Sequence, residues 1–226
     1  MARQDIRILS TKSLLSNQIQ FLLNADFLVV EADFIQTETI DFDLKKVNDA
    51  LIFTSQNAVK ALLEHPEAEK IKSKTVFCVG IKTKALLEDN GFKVEAYAGY
   101  AEDLAQIIAL VYSDNQYTFF SGNLRRDTLP DILTEAGIAL NEIQVYETVL
   151  TPKKIDSKAD GILFFSPSAV ESYTQKNKID KETAFCIGET TASAAADLGY
   201  KNIVIANQPT VENTIIQAIN YFNPKH

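Results

Sequence analysis

An internal repeat constrains this chain more than any other feature. Asp49-Ala50-Leu51-Ile52-Phe53-Thr54-Ser55-Gln56-Asn57-Ala58-Val59 returns as Asp160-Gly161-Ile162-Leu163-Phe164-Phe165-Ser166-Pro167-Ser168-Ala169-Val170. Phe77-Cys78-Val79-Gly80 returns as Phe185-Cys186-Ile187-Gly188. Asn90-Gly91-Phe92 is matched by Leu198-Gly199-Tyr200, and Ala101-Glu102-Asp103 by Val211-Glu212-Asn213. The matches keep their order at a displacement of roughly 110 residues, so each copy has the size of a domain. A chain built this way folds as two similar units.

Within each copy, short β-rich runs alternate with amphipathic runs of helical length. The spacing predicts strands over 6–10, 27–32, 50–54, 75–79, 93–96, 116–120, 161–165, 183–187 and 202–205. Helices are predicted over 13–23, 57–64, 83–90, 102–111, 127–135, 167–177, 190–198 and 211–222. Gly91, Gly137 and Gly199 follow helical runs, where a left-handed residue ends a helix well. Ser166-Pro167 pairs a good N-cap with a good first helical residue. Strand and helix in alternation imply parallel sheets with helices on both faces.

The repeat does not cut the chain into halves. By elimination, the two strands and the helix within 1–33 belong with the second copy, so the chain starts one domain, builds the other and returns. Residues 1–33 plus 152–226 are then a discontinuous domain one, and 42–143 are domain two. The linkers 34–41 and 144–151 contain extended, β-branched segments (34–40 and 144–150) that suit antiparallel pairing. The expected fold class is α/β: two similar parallel-sheet domains, flavodoxin-like or Rossmann-like, joined by a two-stranded antiparallel ribbon.

Composition narrows the function. Hydrophobic residues are 46% and charged residues 23%, an ordinary globular balance. No apolar run approaches the roughly 20 residues that span a bilayer. Met1-Ala2-Arg3-Gln4-Asp5 leads into a strand-like run without a signal-peptide core, so a soluble cytoplasmic protein with no membrane partner is expected. Cys78 and Cys186 lie in strand-like runs and read as buried, reduced thiols. His65 and His226 are the two histidines, neither close in sequence to another ligand, so no metal site is expected. A net charge of −8 argues against a nucleic-acid partner. It also opposes an anionic ligand at long range, so any anion site must be local, built from helix ends, loop amides and a few cations.

In open parallel sheets, ligands bind beyond the carboxyl ends of the strands. The candidates there are Thr11 and Lys12; Thr54, Ser55 and Asn57; Gly80 and Lys82; Gly122, Asn123 and Arg126; Ser166 and Ser168; and Gly188, Thr190 and Thr191. Exposed amides and hydroxyls suit carboxylate or phosphate. Ser55, Ser166 and Thr190 are equally expected as helix N-caps, and Gly80 and Gly188 as turn residues. Arg125 and Arg126 read either as anion-capturing or as paired at a solvated helix start. Tyr146, on the returning linker, either packs or donates a hydrogen bond to a leaving hydroxyl or to an anion. No P-loop, no GxGxxG and no GxSxG occurs.

Taken in order, these motifs resemble the uroporphyrinogen-III synthases. The resemblance rests on Ser10-Thr11-Lys12, Ile52 to Val59, Val79-Gly80, Ser121-Gly122-Asn123-Leu124-Arg125-Arg126 followed by Val145-Tyr146-Glu147-Thr148, Phe165-Ser166-Pro167-Ser168-Ala169-Val170, and Ile187-Gly188-Glu189-Thr190-Thr191-Ala192. It implies a bilobal fold, a substrate cleft and a cofactor-free cyclisation. Hydroxymethylbilane loses its terminal hydroxyl to give an azafulvene, ring D inverts through a spiro intermediate, and uroporphyrinogen III and water result. It further implies that Tyr146 matches the family tyrosine assisting hydroxyl departure, and that main-chain amides hold the substrate carboxylates. A cytoplasmic monomer, fed by transient handover from hydroxymethylbilane synthase, is the expected setting. The competing reading is a cytosolic bilobal polycarboxylate-binding protein without catalysis.

Overall fold

A computed structural model describes residues 6–223. Met1–Asp5 and the second of the two histidines, His226, lie outside the described residues. The chain forms two compact units, one made of the residues up to Gln36 together with those from Val149 on, the other Thr37–Thr148.

Unit 1 holds β1 (Arg7–Ser10), α1 (Ser16–Asn24) and β2 (Leu28–Glu31) from the start of the chain. The connecting strand β3 (Ile35–Thr39) follows them. Unit 2 is built from β4 (Ala50–Phe53), α2 (Gln56–Glu64), β5 (Thr75–Val79), α3 (Ile81–Asp89), β6 (Lys93–Ala98), α4 (Ala101–Val111), β7 (Tyr117–Gly122), α5 (Thr128–Glu135) and β8 (Leu140–Leu150). A short 3₁₀ turn, Ala68–Ile71, precedes β5. Back in unit 1 come β9 (Gly161–Phe164), α6 (Pro167–Lys176), β10 (Thr183–Cys186), α7 (Glu189–Asp197), β11 (Ile203–Ile205) and α8 (Val211–Phe222).

Side-chain alternation explains the layers. In β4, Leu51 and Phe53 pack with α2 and α3 on one face, while Ala50 and Ile52 pack with α4 and α5 on the other. In β9, Ile162 and Phe164 meet α6 and α7, and Leu163 meets α1 and α8. Strands buried on both faces carry apolar residues at consecutive positions, as in Ala50-Leu51-Ile52-Phe53 and Gly161-Ile162-Leu163-Phe164, all buried. Each fully buried Leu, Ile or Phe contributes roughly 1.5–3 kcal/mol relative to exposure.

The strand orders are β2-β1-β9-β10-β11 in unit 1 and β3-β8-β7-β4-β5-β6 in unit 2. The repeated cores are β4-α2-β5-α3-β6-α4 and β9-α6-β10-α7-β11-α8. Beside each core strand sits the same addition: β1-α1-β2 against β9, and β7-α5-β8 against β4, all parallel. In unit 1 the addition precedes the core in sequence; in unit 2 it follows. The two sheets are therefore circular permutations of one arrangement. Unit 1 runs 2-1-3-4-5 in chain order and unit 2, without β3, runs 3-2-1-4-5, the flavodoxin-type and dinucleotide-type orders.

The two connecting segments pair antiparallel, Thr151 N–H donating to Phe34 O at 2.9 Å and Ile40 N–H to Val145 O at 3.1 Å. The predicted linker strand over 144–150 is shorter than the element that forms. β8 begins at Leu140, and its first half is a full parallel strand against β7. The first residues of β8 make tertiary bonds: Asn141 Nδ2 donates to Lys46 O, and Glu142 receives Arg125.

Candidate functional site

A crevice forms in an open α/β sheet where neighbouring strands send their following helices to opposite faces. In unit 1 this occurs between β1, followed by α1, and β9, followed by α6. In unit 2 it occurs between β4, followed by α2, and β7, followed by α5. The order reversals thus bring Thr11 and Lys12 to the tip shared with Ser166 and Ser168, and Thr54, Ser55 and Asn57 to the tip shared with Gly122 and Asn123. Gly80 and Lys82 stand one strand away at the β5 tip; Gly188, Thr190 and Thr191 stand one strand away at the β10 tip.

At the unit 1 reversal, the Thr11 side chain turns inward. It is 1% exposed, and its hydroxyl donates to Leu163 O at 2.7 Å. Lys12 is exposed, with its ammonium 5.5 Å from the centre of the Phe165 ring. Ser166 caps α6, accepting from Ala169 N–H at 3.1 Å, and Ser168 Oγ lies 3.4 Å from Ser166 Oγ. The loop after β1 already carries carboxylates of the chain itself: Glu31 accepts from Leu14 N–H at 2.6 Å and Asp33 from Ser13 N–H at 2.7 Å. This loop binds carboxylate through main-chain amides.

At the unit 2 reversal, Ser55 caps α2, accepting from Asn57 N–H at 3.1 Å, and the Asn57 amide donates to Thr37 Oγ1 at 3.4 Å. Gly122 ends β7, and its glycine identity has a direct cause. A Cβ there would lie 2.3 Å from Cζ of Tyr146, whose ring rests on the glycine. Gly122 and Tyr146 are separate candidates in the sequence; the fold stacks one on the other. The β7–β8 register slips between Ser121 and Gly122, so that Ser121 stands opposite Gln144 but Gly122 opposite Tyr146. Asn123 reaches across to β8, its Oδ1 accepting from Thr148 N–H at 2.8 Å and its Nδ2 donating to Thr148 O at 3.4 Å.

Arg125 is held by two carboxylates. Its Nε and Nη2 donate to the two carboxylate oxygens of Glu142 at 2.6 and 2.8 Å, and it also contacts Asp127. The pair holds Glu142 below the usual carboxylate range, the Arg125 hydrogen bond being the first cause, and raises the Arg125 guanidinium. Arg126 is exposed on the same turn.

At the two remaining tips, Gly80 takes φ +88°, a conformation open to glycine, and its N–H donates to Ala98 O at 2.8 Å. Lys82 is exposed in the first turn of α3. Gly188 is an extended N-cap for α7, with Thr190 exposed in the first turn. Thr191, like Thr83 at the repeated position, turns inward and is 1% exposed, which removes its side chain from the surface.

Among the described residues, no three His, Cys, Asp or Glu side chains form a metal-binding group. His65 is engaged structurally: Nδ1 accepts from Glu67 N–H at 3.1 Å, so Nε2 carries the proton toward Phe42 O at 3.1 Å. Cys78 and Cys186 are buried free thiols, pushed by burial up to about 11 and about 12. No helix among the described residues is long and apolar enough to cross a membrane. A cavity of about 920 Å³ lies at the opposite end of the unit 1 sheet, lined by Asp160, Thr183 and Asn202 before or at the starts of β9, β10 and β11. Lys176 and Asn177, at the carboxyl end of α6, also line it.

Comparison with known proteins bears on this arrangement. The sequence model described as Uroporphyrinogen-III synthase HemD matches residues 20–216. The chain is 27% identical over 195 residues to the uroporphyrinogen-III synthase of Chlorobaculum parvum, covering 75% of this chain and 79% of that protein. It is 26% identical over 208 residues to that of Saccharomyces cerevisiae, covering 76% and 75%. The crystal structure of uroporphyrinogen-III synthetase from Helicobacter pylori shares the fold, with a TM-score of 0.76 at 23% identity, over 96% of this chain and 99% of that one.

Proposed function

The chain belongs to the uroporphyrinogen-III synthase family, and from that premise we propose that it converts hydroxymethylbilane into uroporphyrinogen III with loss of water and inversion of ring D. Family membership assigns it a hydro-lyase activity in tetrapyrrole biosynthesis. The pyrrole that carries the hydroxymethyl group supplies the electrons that expel its hydroxyl. The protein's task is to fold a flexible polycarboxylate and to assist that departure. Orientation supplies roughly 7–11 kcal/mol in favourable cases, and one acid catalyst perhaps 10²–10⁴-fold.

Tyr146 is assigned the departing hydroxyl, which its phenol protonates or hydrogen-bonds as the bond breaks. The observation that carries this assignment is its seating: a half-buried ring laid on Gly122 beside the β4/β7 order reversal. The substrate carboxylates are assigned to amides and hydroxyls at the strand tips, with Ser55, Asn57, Ser166, Ser168, Gly188 and Thr190 in the first turns or caps of their helices, and Lys12, Lys82 and Arg126 as the cations. Helix amino ends act locally on anions, which answers the opposing net charge of −8. The same reading makes the protein a cytoplasmic monomer that takes its substrate by handover from hydroxymethylbilane synthase.

The test is to incubate the purified protein with freshly made hydroxymethylbilane and to resolve the ring isomers after oxidation. The type III isomer is expected. Formation of the spontaneous type I isomer alone would leave a carboxylate-binding protein without catalysis.

A further inference from the structure

We propose that Asn123 is a positioning residue for Tyr146, acting through the backbone of β8 rather than on the substrate. The inference rests on the assignment of Tyr146 above and deepens it.

β8 carries an irregularity immediately before the tyrosine. One step along β7, from Ser121 to Gly122, corresponds to two along β8, from Gln144 to Tyr146. Val145 falls in the gap, is fully buried, and receives the N–H of Ile40 from the opposite side. Such a bulge re-aims the side chains that follow it and interrupts the ladder. Beyond Gly122, β7 ends and can no longer hold β8 by regular pairing.

Asn123 takes over that role. Its backbone N–H donates to Tyr146 O at 3.3 Å. Its side-chain amide then presents an acceptor to Thr148 N–H and a donor to Thr148 O. A carboxamide has the donor and acceptor of a peptide group, so Asn123 adds one more rung where β7 has none left. The bonds to Tyr146 O and to both polar groups of Thr148 fix the backbone on each side of Glu147. Gly122 supplies the clearance for the ring, and Asn123 fixes the chain that carries it. The spacing between Gly122-Asn123 and Tyr146-Glu147-Thr148 is thereby a single device. A side chain committed to two backbone groups is poorly placed to capture substrate as well, which separates this role from direct binding.

The experiment is a double-mutant cycle on the full chain with hydroxymethylbilane, reading kcat, KM and the melting temperature. Asn123 is solvent-exposed, so Asn123→Ala leaves the core intact, and Asn123→Leu removes both bonds while keeping bulk. Both are expected to lower kcat, by up to about 10²-fold, with KM near the wild-type value. Asn123→Asp retains the acceptor for Thr148 N–H and is expected to recover most of the loss. In a Tyr146→Phe background, Asn123→Ala is expected to have no further effect on kcat. The proposal is overturned if Asn123→Ala and Asn123→Leu keep the wild-type kcat while Tyr146→Phe is slow. It is equally overturned if Asn123→Ala lowers kcat as much in the Phe background as in wild type, or raises KM alone. Wild-type turnover by Tyr146→Phe would instead remove the tyrosine assignment.

Discussion

The two units carry a glutamate at the same place in their permuted sheets and use it differently. Ser10 pairs with Leu163 on one side and Glu31 on the other. Its counterpart Phe119 pairs with Ile52, the repeat of Leu163, and with Glu142. Both glutamates therefore stand on the strand next to the order reversal, and both anchor the loop that leaves it. Glu31 does so by accepting a main-chain amide, Glu142 by gripping the Arg125 guanidinium. Unit 1 thus fills the amides of that loop with its own carboxylates. Unit 2 assigns the carboxylate to an arginine, lays Tyr146 over a glycine, and continues the ladder with Asn123. The permuted additions, β1-α1-β2 and β7-α5-β8, have kept the anchor and diverged in what it presents. On the proposed reading, the tyrosine and its supports lie in unit 2, while unit 1 offers capping hydroxyls, the amino end of α7 and Lys12.

The comparison is broken most severely by Gly122→Ala. The added methyl meets the Tyr146 ring at a distance no side chain tolerates, so the ring or the β7 tip must move. Turnover should fall on the order of 10²-fold, with about 1–3 kcal/mol lost in denaturant unfolding from overpacking. Ser13→Ala, in the corresponding loop of unit 1, should stay within about 0.5 kcal/mol, since it removes one exposed hydroxyl contact. Comparable losses at the two positions would mean that the units do not differ as described.

Arg125→Ala sharpens the contrast between the anchors. It should cost about 1 kcal/mol at neutral pH, the upper end for a partly exposed pair, because the contact is bidentate. The Glu142 carboxyl is held below its ordinary range when folded, so its contribution is present above the unfolded value and is lost as pH falls through the folded one. The gap between wild type and Arg125→Ala should accordingly close in acid. A gap that stays constant with pH would show that the arginine acts through packing alone. Glu31→Ala should cost less, about 0.5 kcal/mol, since water can take over the exposed Leu14 amide.

The smallest effect is a symmetry. Cys78 and Cys186 occupy repeated positions on β5 and β10, both buried and both pushed up to about 11 and about 12. Neither should react with a thiol reagent at pH 8 until the chain unfolds. Selective labelling of one would reveal that its unit opens locally before the other.

Much of this was legible in the sequence, for physical reasons that also explain what was not. Phe53-Thr54-Ser55 and Phe165-Ser166-Pro167 announce a buried strand ending in a helix cap, because burial and capping are local demands that leave local patterns. The same holds for Gly80 and Gly188, although α3 and α7 begin one or two residues sooner than their apolar spacing indicates. The permutation left no pattern, since strand order is decided by packing between distant segments. The burial of Thr11 and Thr191 leaves no mark in the sequence, because a hydroxyl at a strand tip looks alike whether it faces water or the interior. The clearance at Gly122 depends on a ring 24 residues away, and the bond from Asn123 to Thr148 on a register slip, neither of which propensity encodes.

We propose above that Tyr146, on unit 2, assists hydroxyl departure while the strand tips hold the substrate. Single-turnover cyclisation of hydroxymethylbilane by Tyr146→Phe, at saturating enzyme, tests it most directly. The expected rate constant is lower by about 10²–10⁴-fold, with substrate affinity retained and an unchanged melting temperature. A wild-type rate constant from a folded Tyr146→Phe protein would contradict it.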